Sequence, residues 1–398
     1  MSLANGRPYL AIPGPSVMPE RVLAAMHRAA PNIYAGPLHD LVATLWPDLR
    51  ALARTRHHVA IYIGNGHAAW EAANSNLFSR GDKALVLVTG QFGIGWASAA
   101  RGLGIEAQQL VFPKQTPVDA MRVTMALAAD PDHRIKAVLV THVDTGSTVR
   151  NDIAAVRAAI DAAGHPALLA VDAIASLGCD RFEMDGWGVD VMIAASQKGL
   201  MVPPGLAFVW LSEKALAACA KSDLRTPYWD WTPRVQGTEF WQLFCGTAPT
   251  HHLFGLREAL DMIAEEGLEA IWARHATLAR AVWAAFDAWS AEGPIRLTVA
   301  DPDHRGHSVT GAQLGAPYGS ELRHWCETTA GLTLGIGLGM APPDDPAWHG
   351  FIRVAHMGHV NAHMVLGTLS TIEAGLRALH IPRGAGALEA AAAVVAGA

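Results

Sequence analysis

Between residues 58 and 212 the chain alternates short aliphatic runs with alanine-rich stretches, and few folds can accommodate that text. The runs are HVAIYI (58–63), ALVLVT (84–89), AVLVTHV (137–143), ALLAVDA (167–173), VDVMIAAS (189–196) and LAFVWLS (206–212). Most are apolar along nearly their whole length rather than at every second residue, so they need cover on both faces. The stretches between them, such as DIAAVRAAIDAAG (152–164), repeat apolar residues at helical spacing. Strands buried on both faces and separated by helices predict an α/β fold, a mostly parallel central sheet with helices on either side.

The pattern changes after residue 225, first to an aromatic-rich connection, TPYWDWTPRVQGTEFWQLF (226–244), and then to a long helical region, 251–289. Gly267 interrupts that region and marks the expected boundary. Beyond it, IRLTVA, HSVTGAQL, GLTLGIGLG and FIRVAHMG read as strands and VLGTLSTIEAGLRALH as an amphipathic helix, followed by a Gly/Ala-rich tail with a surface helix. The expected organisation is an N-terminal arm (1–15), a large domain (16–266) and a smaller C-terminal α+β domain (267–398).

Bulk composition excludes several classes of function. Only 17% of the 398 residues are charged, and the net charge of −6 comes from interspersed acids and bases. No basic stripe invites nucleic acid and no polybasic arm invites a membrane surface. No apolar run is long enough to span a bilayer. The four cysteines, Cys179, Cys219, Cys245 and Cys326, are scattered without a C-x-x-C pair, which predicts reduced thiols in a cytoplasmic protein.

In an open parallel sheet, ligands bind beyond the carboxyl ends of the strands. Those ends carry Gly64-Asn65-Gly66-His67, Gln91-Phe92, His142 through Thr145, Asp172, and Gln197-Lys198. The segment GNGHAAWEAA (64–73) follows a strand and opens a helix, so its glycines and free N–H groups suit a phosphate. It also fits the G-x-G-x-x-A pattern of nicotinamide dinucleotide enzymes, but the next strand ends VTGQF without the acid that reading needs. Asp172 and Lys198 lie 26 residues apart, one strand–helix–strand step. A phosphate cradle, an amine and a carboxylate are the parts that hold pyridoxal phosphate (PLP). The lysine forms the Schiff base, and the acid keeps the pyridine nitrogen protonated. His356, His359 and His363 in AHMGHVNAHM have no acid among them, so no metal site is expected.

These motifs resemble the class V aminotransferases of the fold-type-I PLP transferases, in the alanine–glyoxylate and serine–glyoxylate branch. The resemblance runs along nearly the whole chain, through IPGPSVMPERVLAAM, GNGHAAWEAA, THVDTGST, AVDAIASLG, SQKGLMVPPGLAFV, TPYWDW and FIRVAHMG. It implies that Lys198 bonds the cofactor and shuttles a proton, and that Asp172 pairs with the ring nitrogen. It implies that Thr145 bonds near the phenolic oxygen, Phe92 stacks on the ring, and Gly66, His67 and Gln197 hold the phosphate. Thr247 would reach the neighbouring subunit's phosphate, which implies a homodimer; Phe244 stands where a relative has tyrosine. Arg353 would clamp the substrate carboxylate. The implied activity moves an amino group from alanine or serine to glyoxylate or pyruvate. The open alternatives are a pyridoxamine–pyruvate aminotransferase using the vitamin as substrate, a class V lyase or desulfurase, an NAD-dependent dehydrogenase, and a silent PLP-fold protein.

Overall fold

A computed structural model describes residues 2–398. In chain order its strands are β1 (Tyr9–Ala11), β2 (His58–Gly64), β3 (Lys83–Val88), β4 (Glu106–Val111), β5 (Ile135–Thr141), β6 (Leu168–Asp172), β7 (Val191–Ala195), β8 (Gly205–Leu211), β9 (Arg296–Leu297), β10 (Val309–Gln313), β11 (Leu332–Ile336) and β12 (Phe351–Ala355). Seven of them form one sheet in the order β2-β8-β7-β6-β5-β3-β4. Only β8 runs against its neighbours, so the sheet is mostly parallel.

Successive residues of these strands enter different cores, which explains the unbroken apolar runs. Val59 and Ile61 pack on one side of the sheet, Ala60 and Tyr62 on the other. Leu85 and Leu87 likewise separate from Ala84, Val86 and Val88. The expected strands are present at their places in the chain, and two strands were not expected, the short β1 within the N-terminal arm and β4. β4 reads EAQQLV, and as the outermost strand it needs cover on fewer sides. Its polar text therefore carries no strong strand signal.

The remaining five strands form a second sheet, β1-β11-β12-β10-β9, with only the β1–β11 pair parallel. Its core includes Leu314, Leu334, Ile352 and Val354 together with residues of the helices Leu268–Trp289, Tyr318–Ala330 and Ala362–Ala378. Gly267, at φ 85°, ends one helix (Thr250–Glu266) and starts the next. The tail helix Ala387–Ala396 buries Ala387 and Ala391 in the same core.

The N-terminal segment links the two sheets. After pairing as β1 with β11, it crosses to the first sheet, where Ser16 donates its N–H to Gln197 O at 2.9 Å and its hydroxyl to Lys198 O at 2.8 Å. The aromatic connection is anchored by Arg234, whose guanidinium is buried under the rings of Tyr62 and Tyr228 and donates to the carbonyls of Ile61, Tyr228 and Leu243. Among the described residues no helix is long and apolar enough to cross a membrane.

Candidate active site

Strand order places the two key residues side by side. β6 and β7 are parallel neighbours, with Asp172 opposite Ile193, so the turn after β7 carries Lys198 past the end of β6. Asp172 is buried, and its carboxylate accepts from Trp70 Nε1 and from the Ile174 N–H, each at 2.8 Å. Burial pushes this carboxyl up to about 6, against the pull of those two donors. Trp70 is itself locked, stacked on Trp96 and edge-on to His67 and Phe92.

Lys198 is only 8% exposed, and its Nζ donates to the Pro13 carbonyl. Burial is the first cause, and the charge of Arg353 the second, that bring its amine down to about 8; Asp172 works in the opposite direction. A lysine in that range is partly neutral near physiological pH and can act as nucleophile and base. Gly14 makes the approach possible, since a Cβ there would fall 2.5 Å from Lys198 Nζ and 2.7 Å from Cε.

The helix Gly66–Leu77 starts beside this pair. Asn65 caps it, accepting from the His67 N–H at 3.0 Å, and Gly66 leaves room for Ile174, whose Cδ1 would lie 2.4 Å from an added Cβ. Asn65, Gly66 and His67 line one end of a cavity of about 200 Å³ whose other walls include Trp70, Phe92, Thr145, Asp172, Gln197 and Lys198. A larger cavity of about 580 Å³ adjoins it, and Phe92, Thr145 and Lys198 line both. Arg353 lies in the larger one.

Arg353 is 5% exposed, with Nε donating to Ile336 O and Nη1 to Thr145 O, both at 2.6 Å. Burial lowers its pKa to about 10, and no carboxylate pairs with it among the described residues. A buried guanidinium with no ion-pair partner is costly even with Asp144 acting on it from a distance, and it is matched to an anion entering the cavity. The turn that receives it is built on Asp144. This buried carboxylate accepts four backbone N–H groups, from Phe92 (2.8 Å), Gly93 (3.2 Å), Gly146 (2.8 Å) and Ser147 (3.3 Å). It thereby ties the helix Gln91–Gly102, which carries Phe92, to the turn that carries Thr145.

The structure thus brings together Gly66, His67, Phe92, Thr145, Asp172, Gln197, Lys198 and Arg353 around two joined cavities. Thr247 is exposed and lines neither cavity. Phe244 is buried in the core beneath the first sheet. His142 also lies outside both cavities; its Nδ1 bonds Ser176 Oγ at 2.9 Å, and burial pushes its pKa down to about 4. His356 is occupied by Thr310 Oγ1 and the His307 carbonyl. Sequence reasoning missed Trp70 and the structural role of Asp144. Both stood in motifs already singled out, Trp70 one turn into GNGHAAWEAA and Asp144 as the acid of THVDTGST.

The smaller cavity fits a planar cofactor with a phosphate on observations of its own. A helix N-terminus closes one end, a buried carboxylate and an amine stand along its walls, and Gln197 Oε1 is buried there without a hydrogen-bond partner.

The fold and these residues define a class of enzyme, and the chain belongs to it: residues 8–337 match the family model "Aminotransferase class-V". Serine–glyoxylate aminotransferase of Methylorubrum extorquens is 35% identical over 379 residues, covering 93% of this chain and 91% of that protein. L-aspartate–glyoxylate aminotransferase of Paracoccus denitrificans is 34% identical, with the same coverage of 93% and 91%. Among solved structures, pyridoxamine–pyruvate aminotransferase of Mesorhizobium loti superposes with a TM-score of 0.88 at 25% identity, covering 100% of both chains. The protein is an aminotransferase of the fold-type-I architecture.

Proposed function

We propose that this enzyme uses pyridoxal phosphate to move the amino group of a small amino acid, serine or alanine, to a small 2-oxo acid, glyoxylate or pyruvate. The observation that carries the reading is the depressed, buried Lys198 amine, set with the buried Asp172 carboxylate along a cavity that a helix N-terminus closes. Gly66, His67 and Gln197 would hold the phosphate, Phe92 would cover one ring face, and Thr145 would bond near the phenolic oxygen. When bound, the cofactor supplies an electron-withdrawing ring that acidifies the donor's Cα–H.

The chain's own residues supply the rest. Asp172, steadied by Trp70 and the Ile174 N–H, would hold a proton on the ring nitrogen through its carboxylate. Arg353 orients the donor by its carboxylate, with two of its N–H groups already spent on fixing the guanidinium. Lys198 Nζ would take the proton from the donor's Cα and deliver it to the cofactor's aldehyde-derived carbon. Closely similar chains named for serine–glyoxylate and L-aspartate–glyoxylate transfer support glyoxylate as acceptor.

A homodimer cooperating through Thr247 is part of the same proposal, supported by the exposure of Thr247 and by the exposed rings of Tyr34 and Trp241. A cytoplasmic site is supported by four free cysteines.

The test is the visible spectrum of the PLP-loaded protein before and after L-serine, L-alanine or pyridoxamine. An amino acid should bleach the band and glyoxylate or pyruvate should restore it, while Lys198→Ala should abolish the band in a folded protein. A band unaffected by any amino acid overturns the proposal. Response of only the cofactor-free protein, and only to pyridoxamine, would make the vitamin the substrate.

A further inference from the structure

The helix Tyr318–Ala330 turns two different faces to the protein. Gly319, Leu322 and Cys326 are buried on one side. Ser320, Arg323, His324 and Glu327, at i, i+3, i+4 and i+7, line the larger cavity on the other. A polar stripe at helical spacing is ordinarily a solvated face. Here it forms a wall of the cavity that also contains Lys198 and Arg353.

Within that wall Arg323 is half-buried and incompletely satisfied. Its Nη2 donates to Ser320 Oγ at 2.9 Å, and Ser320 Oγ is itself held by His349 Nδ1 at 2.8 Å. Its Nε–H is buried with no partner. Glu327, one turn further along, makes no ion pair with it among the described residues; the Thr333 hydroxyl points to Glu327 Oε1 at 3.5 Å instead. Burial lowers the Arg323 pKa, and its charge is close enough to Arg353 to lower that group's pKa too. Two guanidinium groups therefore face one cavity, neither in an ion pair, although Asp144 acts on Arg353 and Glu327 on Arg323 from a distance. A substrate with a single carboxylate uses only Arg353. The roughly 580 Å³ of the cavity leaves space for a longer molecule.

We propose that Arg323 is a second anion anchor in the substrate cavity, which extends the donor range to a four-carbon amino dicarboxylic acid. Its α-carboxylate sits on Arg353 and its distal carboxylate on Arg323. The inference rests on the aminotransferase reading, but its binding part can be tested apart from turnover. Arg323 here is a specificity residue; the chemistry at Cα remains with Lys198.

Two readouts on the PLP-loaded enzyme decide it. The first is calorimetric binding of the inert acids succinate and propionate. The second is the ratio of kcat/KM for L-aspartate to that for L-alanine. The wild type should bind succinate more tightly than propionate. Arg323→Gln should weaken succinate selectively and lower the aspartate-to-alanine ratio roughly 10- to 100-fold, the size of one lost charge-assisted contact. Arg323→Lys, which keeps the charge without the fork, should recover part of both effects, and it guards against a misfolded first variant. Equal affinity of the wild type for the two acids, or equal losses for both in Arg323→Gln, overturns the proposal. If no amino donor changes the spectrum while succinate still depends on Arg323, the transaminase reading fails and the subsite stands.

Discussion

Replacing Asp144 by asparagine removes one charge and one acceptor atom from the turn on which the site is built. Oδ2 accepts from Phe92 and Gly93, and Oδ1 from Gly146 and Ser147. An amide of the same shape keeps one oxygen, so two of the four N–H groups lose their acceptor and face an NH2 group instead. A hydrogen bond to a charged group contributes about 1.5–3 kcal/mol, and a buried donor left unpaired costs about 1–3 kcal/mol. One bond of each pair is long, at 3.2 and 3.3 Å, so most of the loss comes from the short one. The neutral amide also escapes the burial that raises the carboxyl's pKa, which offsets part of the loss. The net expectation for Asp144→Asn is a loss of about 2–4 kcal/mol. Urea unfolding of the cofactor-free protein, at fixed protein concentration, should show a lower midpoint with an unchanged slope. Affinity for PLP should fall as well, because Phe92 and Thr145 sit on the two segments that Asp144 joins. Gly90→Ala should act from the other side, since its Cβ would lie 2.4 Å from Asp144 Cγ. A loss below about 1 kcal/mol, with cofactor affinity intact, would refute the reasoning.

Arg353→Ala should chiefly raise KM for carboxylate substrates, with a loss of about 2–5 kcal/mol in kcat/KM; an unaffected KM would place the carboxylate elsewhere. Arg353→Lys should recover little, because one ammonium cannot reach Ile336 O and Thr145 O and still present a fork to substrate. Asp172 gives a pH dependence with a definite sign. Its folded pKa of about 6 lies above the usual 3.8, so the folded state holds the proton longer and stability falls as pH rises between those values. In the cofactor-free protein, Asp172→Asn removes that fall. The variant should therefore gain up to about 3 kcal/mol relative to wild type between pH 4 and pH 7, and a flat difference would contradict the assignment. Gly14→Ala should weaken the visible band of the PLP-loaded protein, since the new methyl would occupy the place of the Lys198 amine; an unchanged spectrum would show that the segment yields freely.

Local text was enough for the first sheet because burial on both faces leaves its mark on every residue of a strand. All five residues of β6 and all five of β7 are buried, and both read as apolar runs in the sequence. Their order in the chain also put Asp172 and Lys198 one strand apart, and parallel neighbours made that step a contact. The same logic hid β4, whose edge position tolerates the polar text EAQQLV. Trp70 and Asp144 were out of reach for another reason. Each acts through a partner 102 or 52 residues away, the Asp172 carboxylate and the Phe92 N–H, and no local periodicity records such pairings. The N-terminal arm shows the limit most plainly. The segment reads as an N-terminal arm, yet only the folding of β1 onto the second sheet carries Pro13 and Gly14 across to Lys198. The sequence by itself nominated Asp172 and Lys198 through their place at neighbouring strand ends, and Arg353 through the family resemblance. Tertiary structure alone decided their working state, because burial and the closeness of other charges set the amine near 8 and the carboxylate near 6.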